Sequence, residues 1–129
     1  MQEPIWVLDE AALAIHNRQI AEHGGLPGTR DVGALASALN RPKNKFAYET
    51  PTLFDLAAAY GFGLATNHPF SDGNKRTAYV VSLTFLRLNG FRVSASPEEK
   101  YRTFLSLAAG TLTEPELASW FEQHAVAVK

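Results

Sequence analysis

The segment Asn74–Asn89, "NKRTAYVVSLTFLRLN", limits the possible folds of this chain more than any other. Beyond its first turn, apolar residues point in nearly every direction around a helix: Ala78, Val80, Val81, Leu83, Phe85, Leu86 and Leu88. A helix that is apolar all round has no face for solvent and must be enclosed by other elements. Gly90 then suits a left-handed cap that ends the helix. We therefore predict a compact all-α bundle with this helix at its centre.

The rest of the chain repeats apolar residues every three or four positions, which is typical of amphipathic helices. Capping residues predict where five further helices begin: Asp9, Asp31, Thr50 with Pro51, Ser96 with Pro97, and Thr113 with Glu116. The predicted helices cover 10–23, 32–40, 52–67, 98–109 and 117–128, and the second should end before Pro42. "FRV" at 91–93 is expected to be a short extended piece, and "GGLPGTR" at 24–30 a loop.

Composition narrows the class of protein. With 129 residues, 46% of them hydrophobic, the chain can bury one core, so we predict a single domain over 1–129. The net charge of −1 provides no broad basic face for nucleic acid, and the lack of cysteine excludes disulfides and thiolate chemistry. Neither a signal peptide nor a membrane-length apolar run is visible, so a cytoplasmic protein without membrane or direct nucleic-acid contacts is expected.

Polar chemistry is concentrated in "HPFSDGNKR", residues 68–76, where the apolar helix begins. The first N–H groups of a helix have no partner inside it, and together with the helix dipole they attract anions. Gly73 would let a ligand approach the backbone closely. Lys75 and Arg76 are unfavourable in a first turn unless an anion such as phosphate is bound there. The segment therefore predicts a phosphate site that includes Asn74.

Asp72 would repel a bare phosphate, a conflict that Mg²⁺ removes, because this ion usually binds one or two carboxylates together with phosphate oxygens. His68 is the side chain of this segment whose ordinary pKa suits proton abstraction near neutral pH. A base, a metal-binding acid and a phosphate site together indicate transfer of a phosphoryl or nucleotidyl group to a hydroxyl.

Each residue also has a simpler interpretation. His68 could be a packed histidine, Asp72 a helix cap, and Asn74 the closure of a turn, while the two cations could be solvated. The functional interpretation is favoured because all five would have to be coincidental within nine residues. Phe70 is predicted to be structural, anchoring the loop to the core. The other histidines, His16, His23 and His124, have no comparable neighbours in the sequence and are assigned no role.

"HPFSDGNKR" resembles the signature loop of the Fic/Doc family, and "GGLPGTRD", "LASALNRP" and the segment 73–93 resemble its death-on-curing (Doc) branch. The resemblance extends over nearly the whole chain and implies the Fic fold, ATP and Mg²⁺. It implies that His68 is the base and that Asp72 holds the metal. It further implies an anion hole at Gly73 and Asn74 and a nucleotide-phosphate contact from Arg76. A flap between Gly24 and about Tyr48 would position the target by strand addition.

Lys75 differs from the adenylylating Fic pattern, which has a second glycine at this position. The Doc branch shares the lysine, and this implies reversed ATP with transfer of the γ-phosphate to a Ser or Thr of a protein, elongation factor Tu being the best-known example. Gly73 is instead the glycine of the broader family, so AMP transfer is an alternative. No Ser/Thr-x-x-x-Glu-Gly/Asn inhibitory motif is visible, which implies a bacterial toxin inhibited by a separate antitoxin.

Two further hypotheses belong to other classes. An inactive module could keep the loop only to bind a partner. A His-Asn-His nuclease fits less well, since it needs a second nearby histidine and a strand pair, and the sequence indicates neither.

Overall fold

The computed structural model describes residues 1–128, which form six helices and one small sheet. In chain order the elements are α1 (Asp9–His23), α2 (Val32–Tyr48), α3 (Leu53–Asn67), α4 (Asn74–Leu88), β1 (Phe91–Val93), α5 (Pro97–Ala109), α6 (Glu114–His124) and β2 (Ala125–Ala127). The strands pair antiparallel, with Phe91 opposite Ala127. The prediction of a compact all-α fold is confirmed.

Two helices, α3 and α4, occupy the middle of the bundle. The α3 helix packs against α2, α4, α5 and α6, whereas α4 contacts α1, α3, α5 and β1. Although α4 was predicted to be the central helix, α3 is the more deeply buried, and Leu88 at the end of α4 is 43% exposed. The difference follows from the small residues of α3, which let its neighbours approach closely. At Gly63, for example, a Cβ would lie 3.1 Å from the Cα of Ala38 on α2.

Several helix starts were predicted correctly. The side chains of Asp31, Ser96 and Thr113 each accept a hydrogen bond from a backbone N–H in the first turn of α2, α5 and α6. Thr113 and Glu116 form the full reciprocal capping box.

Two predicted caps were wrong. The N-cap of α1 is Leu8, so Asp9 is already helical and makes no capping hydrogen bond. The α3 helix is capped by Thr52 instead of Thr50. Thr52 has Asp55 three residues later, and this pair satisfies two backbone N–H groups reciprocally, which Thr50 with an apolar residue at that spacing could not do.

Two predicted helix ends were also wrong. The α2 helix continues through Pro42, which is buried, and ends at Tyr48. The cost of one lost helical hydrogen bond is offset by packing of α2 along α3. The last helix stops at His124, because residues 125–127 pair with β1 and supply the backbone partners that an isolated "FRV" strand would lack. Within the described residues, no helix has the length and apolar character needed to cross a bilayer.

Candidate active site

The connection between α3 and α4, residues 68–73, is called the corner loop below. It begins at His68, which caps α3 in the left-handed conformation with φ 49° and ψ 54°. Residues other than glycine adopt this conformation rarely, histidine more readily than most, and such positions are concentrated at functional sites. The carbonyl of His68 accepts a hydrogen bond from Arg30 Nε at 3.0 Å, which satisfies the exposed end of α3. The imidazole is left exposed at the mouth of a cleft.

Two side chains anchor the corner loop to the protein. Phe70 is 1% exposed, and its ring stacks on His16 with centroids 3.7 Å apart. The Asn74 side chain accepts from Phe70 N at 2.9 Å and donates to Phe70 O at 3.0 Å. The structural role predicted for Phe70 is confirmed. The side chain of Asn74 closes the turn, so only its backbone N–H is left to contribute to an anion hole.

The segment 24–31, called the flap, lies against the other side of the corner loop. Arg30 N and Asp31 N both donate to Pro69 O, Ser71 N donates to Gly28 O at 3.1 Å, and Thr29 forms an isolated antiparallel bridge with Phe70. The flap predicted within Gly24–Tyr48 is therefore confined to its first eight residues, because α2 occupies 32–48.

The carboxylate of Asp72 is held by backbone donors from both sides. Oδ1 accepts from Gly73 N at 3.1 Å, and Oδ2 accepts from Leu26 N in the flap at 3.2 Å. Gly25 permits this approach, since a Cβ at that position would lie only 2.9 Å from Oδ2. Asp72 is nevertheless exposed, and the described residues contain no cluster of three His, Asp or Glu that could enclose a metal. A single fixed carboxylate suits Mg²⁺, which takes most of its remaining ligands from phosphate and water.

The first turn of α4 is open toward the same cleft. Gly73 is its N-cap with φ 75°, and no side chain caps the helix, in contrast to α2, α3, α5 and α6. The structure corrects the predicted reason for glycine here. A Cβ would point toward α1 and lie 3.2 Å from Ile20 Cδ1, so glycine is required by its positive φ and by packing on α1 rather than by clearance for a ligand.

Lys75 and Arg76 are exposed, and neither has an ion-pair partner among residues 1–128. The cleft that they line has a volume of about 670 Å³, within the usual range for small-molecule sites. Its lining includes all six predicted site residues, His68, Asp72, Gly73, Asn74, Lys75 and Arg76, and it continues along Pro97, Lys100, Tyr101 and Phe104 of α5. Tyr79 also lines it, and burial raises the pKa of the Tyr79 phenol. The predicted residues are thus brought together on one surface.

Three residues of the site region were missed in the sequence. Arg30 binds the end of α3, and His16 is buried with Nε2 2.8 Å from the carbonyl oxygen of Asp72. His16 is a second histidine near the loop, but it bonds to the main chain and does not line the cleft, so it does not complete a nuclease site. His23, at the end of α1, does line the cleft and is a second histidine of the kind that a nuclease would need. The strand pair that such a nuclease also needs, β1 with β2, does not carry the corner loop.

An uncapped helix start, a fixed carboxylate and an exposed histidine thus share one cleft of this helical fold. The model of the Fic/DOC family matches residues 6–86, more than half of the sequence, and the chain belongs to that family. Among its relatives is "Protein kinase doc" of Escherichia phage P1, 43% identical over 90 residues, which cover 69% of this chain and 71% of that protein. Another is "Toxin Doc" of Mycolicibacterium smegmatis, 45% identical over 76 residues, covering 56% and 57%. The predicted membership of the Fic/Doc family is confirmed.

Proposed function

We propose that this protein is a toxin that transfers the γ-phosphate of Mg-ATP to a Ser or Thr hydroxyl of a protein target. The observation that carries the proposal is the open start of α4, which shares one cleft with His68, Asp72 and two unpaired cations. An anion is the ligand that this arrangement favours, because unpartnered N–H groups, the helix dipole and both cations attract negative charge.

Each residue then has a defined task. The N–H groups at the start of α4 bind phosphoryl oxygens, and Arg76 adds a forked pair of donors. His68 accepts the proton of the attacking hydroxyl, which it can do because its imidazole is exposed in the cleft. Asp72, oriented by Leu26 N and Gly73 N, holds Mg²⁺, and the bound metal would neutralise phosphate charge.

Lys75 supports phosphate transfer over AMP transfer. Lys75 is exposed and lines the cleft beside Arg76, where its ammonium group would limit the space for distal phosphates beyond the anion hole and favour a terminal phosphate there. The phage relative that is 43% identical carries the name of a protein kinase. AMP transfer remains the alternative outcome of the labelling experiment below.

The target would bind along the flap. Leu26 is 65% exposed, and the flap lies directly beside the corner loop, so an extended segment added there would bring its hydroxyl close to His68. A translation factor such as elongation factor Tu is the proposed target, in the cytoplasm of a bacterium. A relative named as a toxin supports pairing with an inhibitory antitoxin.

The decisive experiment compares γ-labelled and α-labelled ATP, with Mg²⁺ and elongation factor Tu as the acceptor. Label from the γ position alone is expected. Label from the α position would replace the proposal with AMP transfer. The base variant should be His68→Asn, because asparagine tolerates the left-handed backbone of this position better than alanine. For the loss of a cleft arginine in Arg76→Ala, the matched control is Arg87→Ala, since Arg87 is an exposed arginine on α4 that does not line the cleft.

A second experiment tests the biological role. Expression of the wild type should arrest bacterial growth, and His68→Asn should be harmless at the same protein level. Co-expression of the neighbouring reading frame should relieve the arrest. If the wild type and His68→Asn are equally harmless while both fold, the chain is an inactive partner-binding module.

A further inference from the structure

His16 is a buried histidine at the centre of α1. It is 1% exposed, and its Nε2 lies 2.8 Å from the main-chain oxygen of Asp72, 56 residues later in the chain. A carbonyl oxygen can only accept a hydrogen bond, so the proton of this contact must be on Nε2. The ring also stacks nearly parallel on Phe70, with an interplanar angle of 7°. One side chain therefore contacts the corner loop at two points.

The hydrogen bond determines how the peptide between Asp72 and Gly73 is turned. In a trans peptide the C=O and N–H groups point in opposite directions. With the carbonyl directed at His16, the N–H of Gly73 is directed away from α1, and it donates to Asp72 Oδ1 at 3.1 Å. Rotation of this peptide would remove a donor from the carboxylate. It would also change the left-handed turn at Gly73 from which α4 starts.

The two contacts of His16 have separable effects. Stacking on Phe70 could be supplied by any aromatic ring of similar size, and it would hold α1 against the loop. The hydrogen bond cannot be supplied by an apolar ring, and its loss leaves the carbonyl of Asp72 without this donor on the α1 side. Since only the hydrogen bond orients the peptide, its effect on the site should be distinguishable from general packing.

We propose that His16 is a positioning residue, which sets the Asp72–Gly73 peptide and thereby the Asp72 carboxylate and the first turn of α4. This rests on the proposed function for its catalytic consequence. Partners that orient the groups of a phosphate and metal site commonly change activity by roughly 10- to 100-fold when they are removed. His16 does not line the cleft, so its effect would be transmitted through the main chain of Asp72.

Two substitutions separate the effect of the Nε2 hydrogen bond from the effect of stacking on Phe70. His16→Gln places an amide N–H near the position of Nε2 but loses the ring, whereas His16→Phe keeps a ring on Phe70 but loses the donor. We expect His16→Phe to lower kcat by roughly 10- to 100-fold with little change in KM for the protein target, and His16→Gln to recover most of that loss. A matched control is His124→Phe, since His124 also packs on a ring and bonds through Nδ1 to a main-chain oxygen, that of Trp120 at 2.8 Å. Its Nε2 lies 2.9 Å from Glu99 Oε2, and neither His124 nor these partners line the cleft. The control should retain wild-type kcat.

A measurement without nucleotide keeps this proposal distinct from the proposed function. The backbone amide chemical shifts of 72–76, compared between wild type and variants, report the orientation of the peptide even if the protein transfers nothing. His16→Phe should shift these amides while most others remain in place, and His16→Gln should shift them less. Unchanged amides in a folded His16→Phe variant would overturn the positioning role. If His16→Phe does not fold, His16→Leu, which also lacks the donor, takes its place, and unchanged amides at 72–76 in that folded variant would overturn the positioning role.

Discussion

Replacement of Gly73 by alanine measures the strain at the start of α4. Gly73 has φ 75°, a left-handed conformation that costs a residue with a Cβ about 1–2 kcal/mol. The added Cβ would also lie 3.2 Å from Ile20 Cδ1, a terminal methyl that would have to shift by a few tenths of an ångström. A shift of this side chain off its rotamer costs about 0.5–1 kcal/mol. The expected loss in the free energy of unfolding is therefore about 2 kcal/mol.

For a chain of 129 residues, the usual unfolding entropy converts this loss into a fall in Tm of about 7 °C. The assay is equilibrium unfolding in urea, followed by circular dichroism, with calorimetry for Tm. Ile20→Val, which removes the Cδ1 methyl, completes a double-mutant cycle. In the Ile20→Val background, Gly73→Ala should cost about 0.5–1 kcal/mol less, because only the backbone strain remains.

Two results would refute this reasoning. A Gly73→Ala protein as stable as the wild type would show that the left-handed conformation at Gly73 carries no cost. A cycle without coupling between Gly73 and Ile20 would show that the close approach to α1 is relieved without strain. Each result would remove one of the two physical reasons for glycine at the N-cap of α4.

Three further predictions concern the site and the core. Arg76→Ala should abolish transfer yet leave Tm, measured by calorimetry, within about 2 °C of the wild type, because Arg76 is exposed and unpaired. An unfolded Arg76→Ala protein would show that this arginine has a structural role. Lys75→Gly should gain transfer from α-labelled ATP, and unchanged γ-specific transfer would mean that Lys75 does not set nucleotide orientation. Burial raises the pKa of Tyr60 to about 12 from its ordinary value of 10, so stability should be lost as pH rises from 10 toward 12, where the unfolded phenol ionises first. Tyr60→Phe should lower the free energy of unfolding by about 1–3 kcal/mol at pH 7, since it leaves the N–H of Val7 unpaired. This difference from the wild type, measured by unfolding in urea, should shrink above pH 10, and a difference that stays constant with pH would contradict the pKa shift.

Most of the helices could be predicted from the sequence, because helices depend on residues that are close in the chain. Asp31, Ser96 and Thr113 cap helices through hydrogen bonds to N–H groups three residues away, and this chemistry is visible locally. The wrong predictions occur where contacts with a distant element stabilise a different local structure. Residues 125–127 could have continued α6, but they pair with β1, more than 30 residues earlier.

The same division applies to the candidate site. The six predicted residues lie within nine positions of one another, so a loop followed by a helix was enough to bring them to one cleft. The sequence by itself thus determined the family, the helical fold and the inventory of chemical groups at the start of α4.

Only the tertiary structure decided what holds these groups in place. Arg30 reaches His68 across 38 residues, and His16 reaches Asp72 across 56. Leu26, which lies in the flap together with Arg30, donates to the Asp72 carboxylate. No local sequence pattern predicts these contacts, since each of them depends on how α1, the flap and the corner loop pack together. The physical reason is that caps and periodicity act within a turn of helix, whereas the orientation of a carboxylate or a peptide depends on whatever the folded chain brings beside it.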